Sequence, residues 1–105
     1  MTRPGDFRAA VRQGRRIGTA NTVLHIRPTD HDEARFGFIV TKAVGNAVTR
    51  NLVRRRLRAV CRDILPAVAS GSDVVIRALP GSDTVDWVSL HDEIAAGVGK
   101  VVRNA

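Results

Sequence analysis

The segment from Lys42 to Arg62 constrains this chain more than any other. It carries seven basic residues, Lys42, Arg50, Arg54, Arg55, Arg56, Arg58 and Arg62, and no acid. Laid out at about 100° per residue, the stretch from about Val48 to Leu65 resolves into two arcs. Val53, Leu57, Val60, Cys61 and Ile64 share one of them. Arg50, Asn51, Arg54, Arg55, Arg58 and Arg62 share an adjoining arc about 140° wide, while Arg56 stands apart on the far flank of the apolar stripe. The spacing predicts a helix that docks by one face and shows guanidinium groups on another. It stops before Pro66, because proline lacks the donor a helix needs and disfavours helical backbone at the residue before it.

Arg50, Arg54, Arg58 and Arg62 form three like-charge pairs at i, i+4. Each such pair costs a helix roughly 0.2–0.5 kcal/mol. A solvated structural helix would alternate signs, so a row without acids points to an anionic partner that relieves the repulsion. Arginine offers a planar fork suited to phosphate, and Asn51 in the same row can donate to or accept from a base edge or sugar. Charge pattern alone leaves nucleic acid, a membrane surface, a calmodulin-like partner and a merely solvated face all open.

The rest of the chain has to cover the apolar arc. Asp6 to Gln13 reads as a short helix, with Phe7, Ala10 and Val11 on one face and Gly14 as its stop. Thr22 to Arg27 and Arg35 to Thr41 read as strands, the second with Phe36, Phe38 and Val40 on one face. Gly37 within it suggests a bulge or a close backbone approach. Gly45-Asn46 marks a turn, Ser70-Gly71-Ser72 a linker, and Pro80-Gly81 another turn. Asp73 to Leu79 is a further strand. Asp86 to Arg103 is helical, with Trp87, Leu90, Ile94, Val98 and Val101 at helical spacing and Asp86 or Thr84 as its cap.

A chain of 105 residues suits one domain spanning its whole length. With a formal charge of +7 and a pI near 11.4, it attracts polyanions. The first 20 residues hold five arginines against Asp6, whereas acids outnumber bases from Asp63 onward. That asymmetry localises the binding face and makes the C-terminal third an ordinary solvated surface. The single cysteine, Cys61, permits no internal disulfide and no thiolate zinc cluster, which fits a reducing cytoplasm. No apolar run approaches the ~20 residues a membrane span needs, and Met1 to Val11 lacks the apolar run of a secretory signal.

The run Gly-Asn-Ala-Val-Thr-Arg-Asn-Leu-Val-Arg-Arg-Arg-Leu-Arg from Gly45 to Arg58 resembles the signature of the bacterial ribonuclease P protein component family. That family carries an Arg-Asn-x-x-basic-Arg-x-x-Arg helix directly after a Gly-Asn-Ala-Val turn. Arg50, Asn51, Arg54, Arg55 and Arg58 fill those places here. The strand Phe36 to Lys42 and the opening Asp6-Phe7-Arg8-x-x-Val11-x-x-Gly14 are also similar to the family's. The likeness is close over the first two-thirds and holds in element position and type beyond.

The resemblance implies an α+β fold: a single-domain α/β sandwich in α-β-β-β-α-β-α order, ribosomal-protein-S5-domain-2-like, with an extra short strand near Arg15 to Thr19. It implies a subunit of an endoribonuclease whose catalytic centre is RNA, trimming the 5′ leader of precursor tRNA, while the protein is not itself catalytic. By similarity Lys42, Asn46, Arg50, Asn51, Arg54, Arg55, Arg58 and Arg62 contact the ribonuclease P RNA. Phe7, Arg8, Val11 and His25 line a cleft for the single-stranded leader, where aromatic groups suit stacking bases. The family often has a second Phe at the place of Val11 and a Tyr at that of His25, which shifts weight onto Arg8 and Lys42. The expected partners are that RNA and precursor tRNA, with no membrane and no obligate protein partner. Mg²⁺ enters through the RNA rather than through protein side chains.

Other chemistry finds little footing. His25, His31 and His91 lack metal-ligand spacing, and the segments around His31 and His91 read as plain surface. Cys61 falls on the apolar arc and reads as a buried small residue. Trp87 reads as a core anchor. There is no Gly-rich phosphate loop and no nucleophile triad. A structural RNA-binding protein shares the charge but not the cleft, a DNA-binding helix-turn-helix does not suit the flanking strands, and a self-sufficient nuclease would need clustered carboxylates.

Overall fold

The computed structural model describes residues 4–29, 34–67 and 71–102, with side chains except at 4–7, 67 and 100–102. Seven principal elements run in the order α1 (Pro4–Gln13), β1 (Arg15–Gly18), β2 (Thr22–Pro28), β3 (Arg35–Ile39), α2 (Ala47–Ile64), β4 (Ser72–Ala78) and α3 (Trp87–Val102). Short 3-10 turns at Leu65–Ala67 and Ser82–Thr84 flank β4. The expected α-β-β-β-α-β-α order and α+β class are therefore present. His31, with its acidic neighbours, lies outside the described residues.

The sheet order is β1-β2-β4-β3, with β1/β2 and β2/β4 antiparallel and β3/β4 parallel. A strand buried on both faces reads as a continuous apolar run, and Val74-Val75-Ile76 at the centre of β4 is one, fully buried. The sheet edges are short, and β1 shows Arg15 and Arg16 to solvent, which discourages pairing with another chain. Gly37 pairs with Val75 in unbroken register, so it marks no bulge.

On one face Leu24, Ile26, Val74 and Ile76 meet Val53, Leu57, Val60, Cys61 and Ile64 of α2 and Leu90, Ile94 and Val98 of α3. These α2 residues are the predicted apolar arc, all buried. Burial pushes the Cys61 thiol up to about 12, so it stays protonated and inert. Gly97 lets α3 close onto β2, since a Cβ there would lie 2.5 Å from the Leu24 Cδ1. On the opposite face α1 lies across β2 and β4, with Ala10 fully buried and Val11 38% exposed.

The helix ends deviate in small ways. α2 begins at Ala47 because the Asn46 side chain caps it, its Oδ1 accepting from the Thr49 amide at 2.9 Å. Its C-terminus does not stop sharply at Pro66 but tightens into the 3-10 turn containing that proline. Asp86, and not Thr84, caps α3, accepting from the Ser89 amide at 2.7 Å, a bond that holds its carboxyl below the usual value.

Two residues read as plain surface turn out to tie α3 to its neighbours, Glu93 to the sheet and His91 to α2. Glu93 Oε1 accepts from the Asn21 amide at 2.8 Å and the Thr22 hydroxyl at 3.1 Å, and Oε2 accepts from Asn21 Nδ2 at 2.9 Å. Burial raises its pKa, but these bonds, with the Thr19 hydroxyl, outweigh burial and leave it lowered. His91 Nε2 lies 2.6 Å from Asp63 Oδ2, tying α3 to α2, and its pKa is raised chiefly by Asp92 and also by Asp63. A raised folded pKa stabilises the fold below the unfolded value, about 6.5, and that contribution is lost as pH rises through the folded pKa. Asp63→Asn is expected to flatten this alkaline-side decline when urea unfolding is followed between about pH 5 and 8.

Candidate nucleic-acid interface

The functional helix is set up by its turn. At Gly45 an added Cβ would lie 2.8 Å from Thr49 Cγ2, so only glycine lets the chain fold back against the first turn of α2. That fixes where Asn46 caps and where the arginine row begins. Lys42, Asn46, Asn51, Arg55, Arg58 and Arg62 are exposed, while Arg50 and Arg54 are half-buried. Arg54 donates to Asn51 Oδ1 at 3.1 Å and reaches the Val40 carbonyl at 3.5 Å. Among the described residues, no carboxylate pairs with Arg50, Arg54, Arg55, Arg58 or Arg62. Arg50 Nε is buried without a partner. Arg56, which the spacing sets apart from the row, donates to the Asp83 carbonyl at 2.8 Å and the Val85 carbonyl at 3.2 Å.

A second feature lies on the α1 side of the sheet. A cleft of about 240 Å³ is lined by Val11, Arg16, Val23, His25, Thr41 and Arg77. It adjoins one of about 250 Å³ lined by Arg8, Val11, Arg12 and Ile39. Val11 lines both spaces, His25 lines only the first and Arg8 only the second. The Phe7 side chain lies outside the described residues. Lys42 sits between Thr41 and Ala43, which both line the cleft.

Sequence reasoning missed Arg16 and Arg77. Strand pairing sets Arg16 opposite His25 and Arg77 opposite Val23, which brings both guanidinium groups to the His25 face. The available signal was alternation: Asp73, Val75 and Arg77 share one face of β4. Asp73 is no surface acid either. It is fully buried, with Arg35 bonding both its oxygens at 2.8 Å and Arg27 at 3.4 Å, so it joins β2, β3 and β4 at the far end of this face.

His25 is buried and its Nδ1 has no partner. Burial, then Arg16 and Arg77, lower its pKa. The fold therefore favours the neutral imidazole. The sign is opposite to that of His91: the contribution is complete above about pH 6.5 and is lost as pH falls below it toward the lowered folded value. His25→Gln is expected to make the protein less sensitive to acid in thermal unfolding between about pH 5 and 8. An unchanged acid limb would mean that His25 is not the group refusing the proton.

Trp87, expected in the core, is 39% exposed at the start of α3, where it lies against the outer edge of α2. Among the described residues no three His, Cys, Asp or Glu side chains are grouped to hold a metal ion. No described helix is long and apolar enough to cross a membrane.

An arginine row without carboxylate partners among the described residues, on a fold that also carries a cleft part apolar and part cationic, is the pattern of a nucleic-acid-binding α+β domain. The family model described as Ribonuclease P matches residues 1–102. The chain belongs to the ribonuclease P protein component family. It is 47% identical over 104 residues to the Ribonuclease P protein component of Clavibacter michiganensis subsp. michiganensis, covering 98% of this chain and 92% of that protein. The Rhodococcus erythropolis protein of the same name is 43% identical, with 96% and 86% covered. The fold matches the Staphylococcus aureus RNase P protein (TM-score 0.83, 20% identity, 96% of this chain and 92% of that one). It also matches the Thermotoga maritima RNase P protein (TM-score 0.82, 21% identity, 90% of each).

Proposed function

We propose that this chain works as the protein subunit of ribonuclease P, docking on the catalytic RNA and holding the 5′ leader of precursor tRNA. The observation that carries this reading is the acid-free row on α2, on a fold that also holds a partly cationic cleft under α1. Arg50, Asn51, Arg54, Arg55, Arg58 and Arg62, with Lys42 and Asn46 at the turn, face the RNA. Arg8, Val11, His25 and Phe7 receive the leader, joined by Arg16 and Arg77, which supply phosphate contacts where the chain lacks aromatics. The RNA hydrolyses the phosphodiester bond, and the protein raises the affinity and correct placement of the substrate. Magnesium takes hard oxygen ligands, and guanidinium-lined faces do not suit it, so Mg²⁺ belongs to the RNA. The work is cytoplasmic and needs no obligate protein partner.

The leader assignment is tested by substrate affinity. The RNA–protein complex is expected to bind precursor tRNA about tenfold or more tighter than mature tRNA, the equivalent of one or two charge-assisted contacts. Arg16→Ala with Arg77→Ala should erase most of that preference. A preference unaffected by both substitutions would remove the leader from this cleft.

A further inference from the structure

The basic arc of α2 has two edges. Arg54 borders the end of β3, where it reaches the Val40 carbonyl. Arg55, Arg58 and Arg62 border a separate groove of about 420 Å³ on the other side, between α2 and the start of α3. Leu52, Ala59 and the Trp87 indole give that groove an apolar lining, and the arginines give it a cationic one. Its volume is in the range that ring-sized ligands fill.

The indole is held in place from two directions. His91 lies against it with ring centroids 4.9 Å apart and planes tilted by 30°, and His91 is itself tied to Asp63 of α2. Arg56 secures the Asp83 and Val85 carbonyls in the loop that leads into Trp87. An aromatic ring fixed this way keeps 39% of its residue surface open to a ligand. A rigid ring beside three unpaired guanidinium groups is the arrangement that single-stranded nucleic acid uses: a base stacks and its flanking phosphates are neutralised.

We propose that Trp87 is a stacking platform for an unpaired base of an RNA, with Arg55, Arg58 and Arg62 holding the neighbouring phosphates. The site is separate from the α1 cleft, and the proposal rests on the reading of α2 as an RNA-binding helix. It predicts that the chain senses unpaired bases as well as phosphate charge.

Trp87 is the sole tryptophan, so its emission reports this site alone. The probes are a labelled RNA hairpin with an adenine-rich loop, a blunt RNA duplex of equal length, and inorganic polyphosphate. Binding is followed independently through the anisotropy of the labelled RNA. The hairpin should quench Trp87 emission at saturation, while duplex and polyphosphate should leave it nearly unchanged. Trp87→Leu should weaken hairpin binding by about 5- to 150-fold, the range of one base–aromatic stack, and leave polyphosphate binding as it was. Trp87→Phe, which keeps a stacking ring, should recover most of the loss. Hairpin binding by anisotropy with undisturbed emission and no loss in Trp87→Leu would overturn the platform, leave the RNA-binding reading intact, and point to a protein partner for the groove. Absence of any RNA binding by the wild-type chain would overturn both.

Discussion

Replacing Arg50, Arg54 and Arg58 together by alanine is expected to lower affinity for ribonuclease P RNA by about a thousandfold or more without weakening the fold. A hydrogen bond to a charged group contributes about 1.5–3 kcal/mol net. Three lost at the low end amount to roughly three decades in binding. The same variant removes all three like-charge i, i+4 pairs along the row, each worth roughly 0.2–0.5 kcal/mol of repulsion, and alanine is the best helix former. The internal contacts given up are slight: a 3.1 Å bond to exposed Asn51 and a 3.5 Å reach to Val40. The melting temperature should therefore hold or rise by a few degrees, as ~1 kcal/mol does in a domain of this size. The slope of log affinity against log salt should become shallower by about three. A fall in melting temperature with RNA affinity retained would mean that the row serves the fold and not a partner.

The second large effect concerns stability. Asp73→Ala should destabilise the protein by about 3–5 kcal/mol, the cost of breaking a buried ion pair by removing one partner. The Asp73 carboxylate has no exposure, whereas Arg27 and Arg35 each keep 21% of their side chains accessible. Alanine would remove the carboxylate that Arg27 and Arg35 share, at the point where β2, β3 and β4 meet. A domain of this size is stable by only about 5–15 kcal/mol, so the loss is a large fraction of the whole. Urea unfolding measures it. A loss under ~1 kcal/mol, the value of an exposed pair, would contradict the role given to Asp73.

Legibility in the sequence followed the range of the interactions concerned. α2 was legible because one segment carries both its apolar arc and its arginine row, and the buried residues are those its periodicity picks out. β2 and β4 announced themselves by β-branched runs. β1 did not: Arg15-Arg16-Ile17-Gly18 has four residues and no alternation, and it is a strand because β2 pairs with it. Only the family resemblance placed it. Arg16 and Arg77 join the cleft through sheet register, and Glu93 gains its bonds from residues more than 70 positions earlier in the chain. Such contacts leave no local pattern. Trp87 misled for a related reason: helical spacing put it in line with Leu90 and Ile94, but its place in the first turn of α3 carries it past the end of the core.

This chain is expected to serve a catalytic RNA. Cleavage of a precursor tRNA by bacterial ribonuclease P RNA at low Mg²⁺, with and without the protein, tests it most directly. Strong stimulation by the wild-type chain, abolished when Arg50, Arg54 and Arg55 become alanine, is the predicted result. No stimulation, together with tight binding to ribosomal RNA instead, would contradict it.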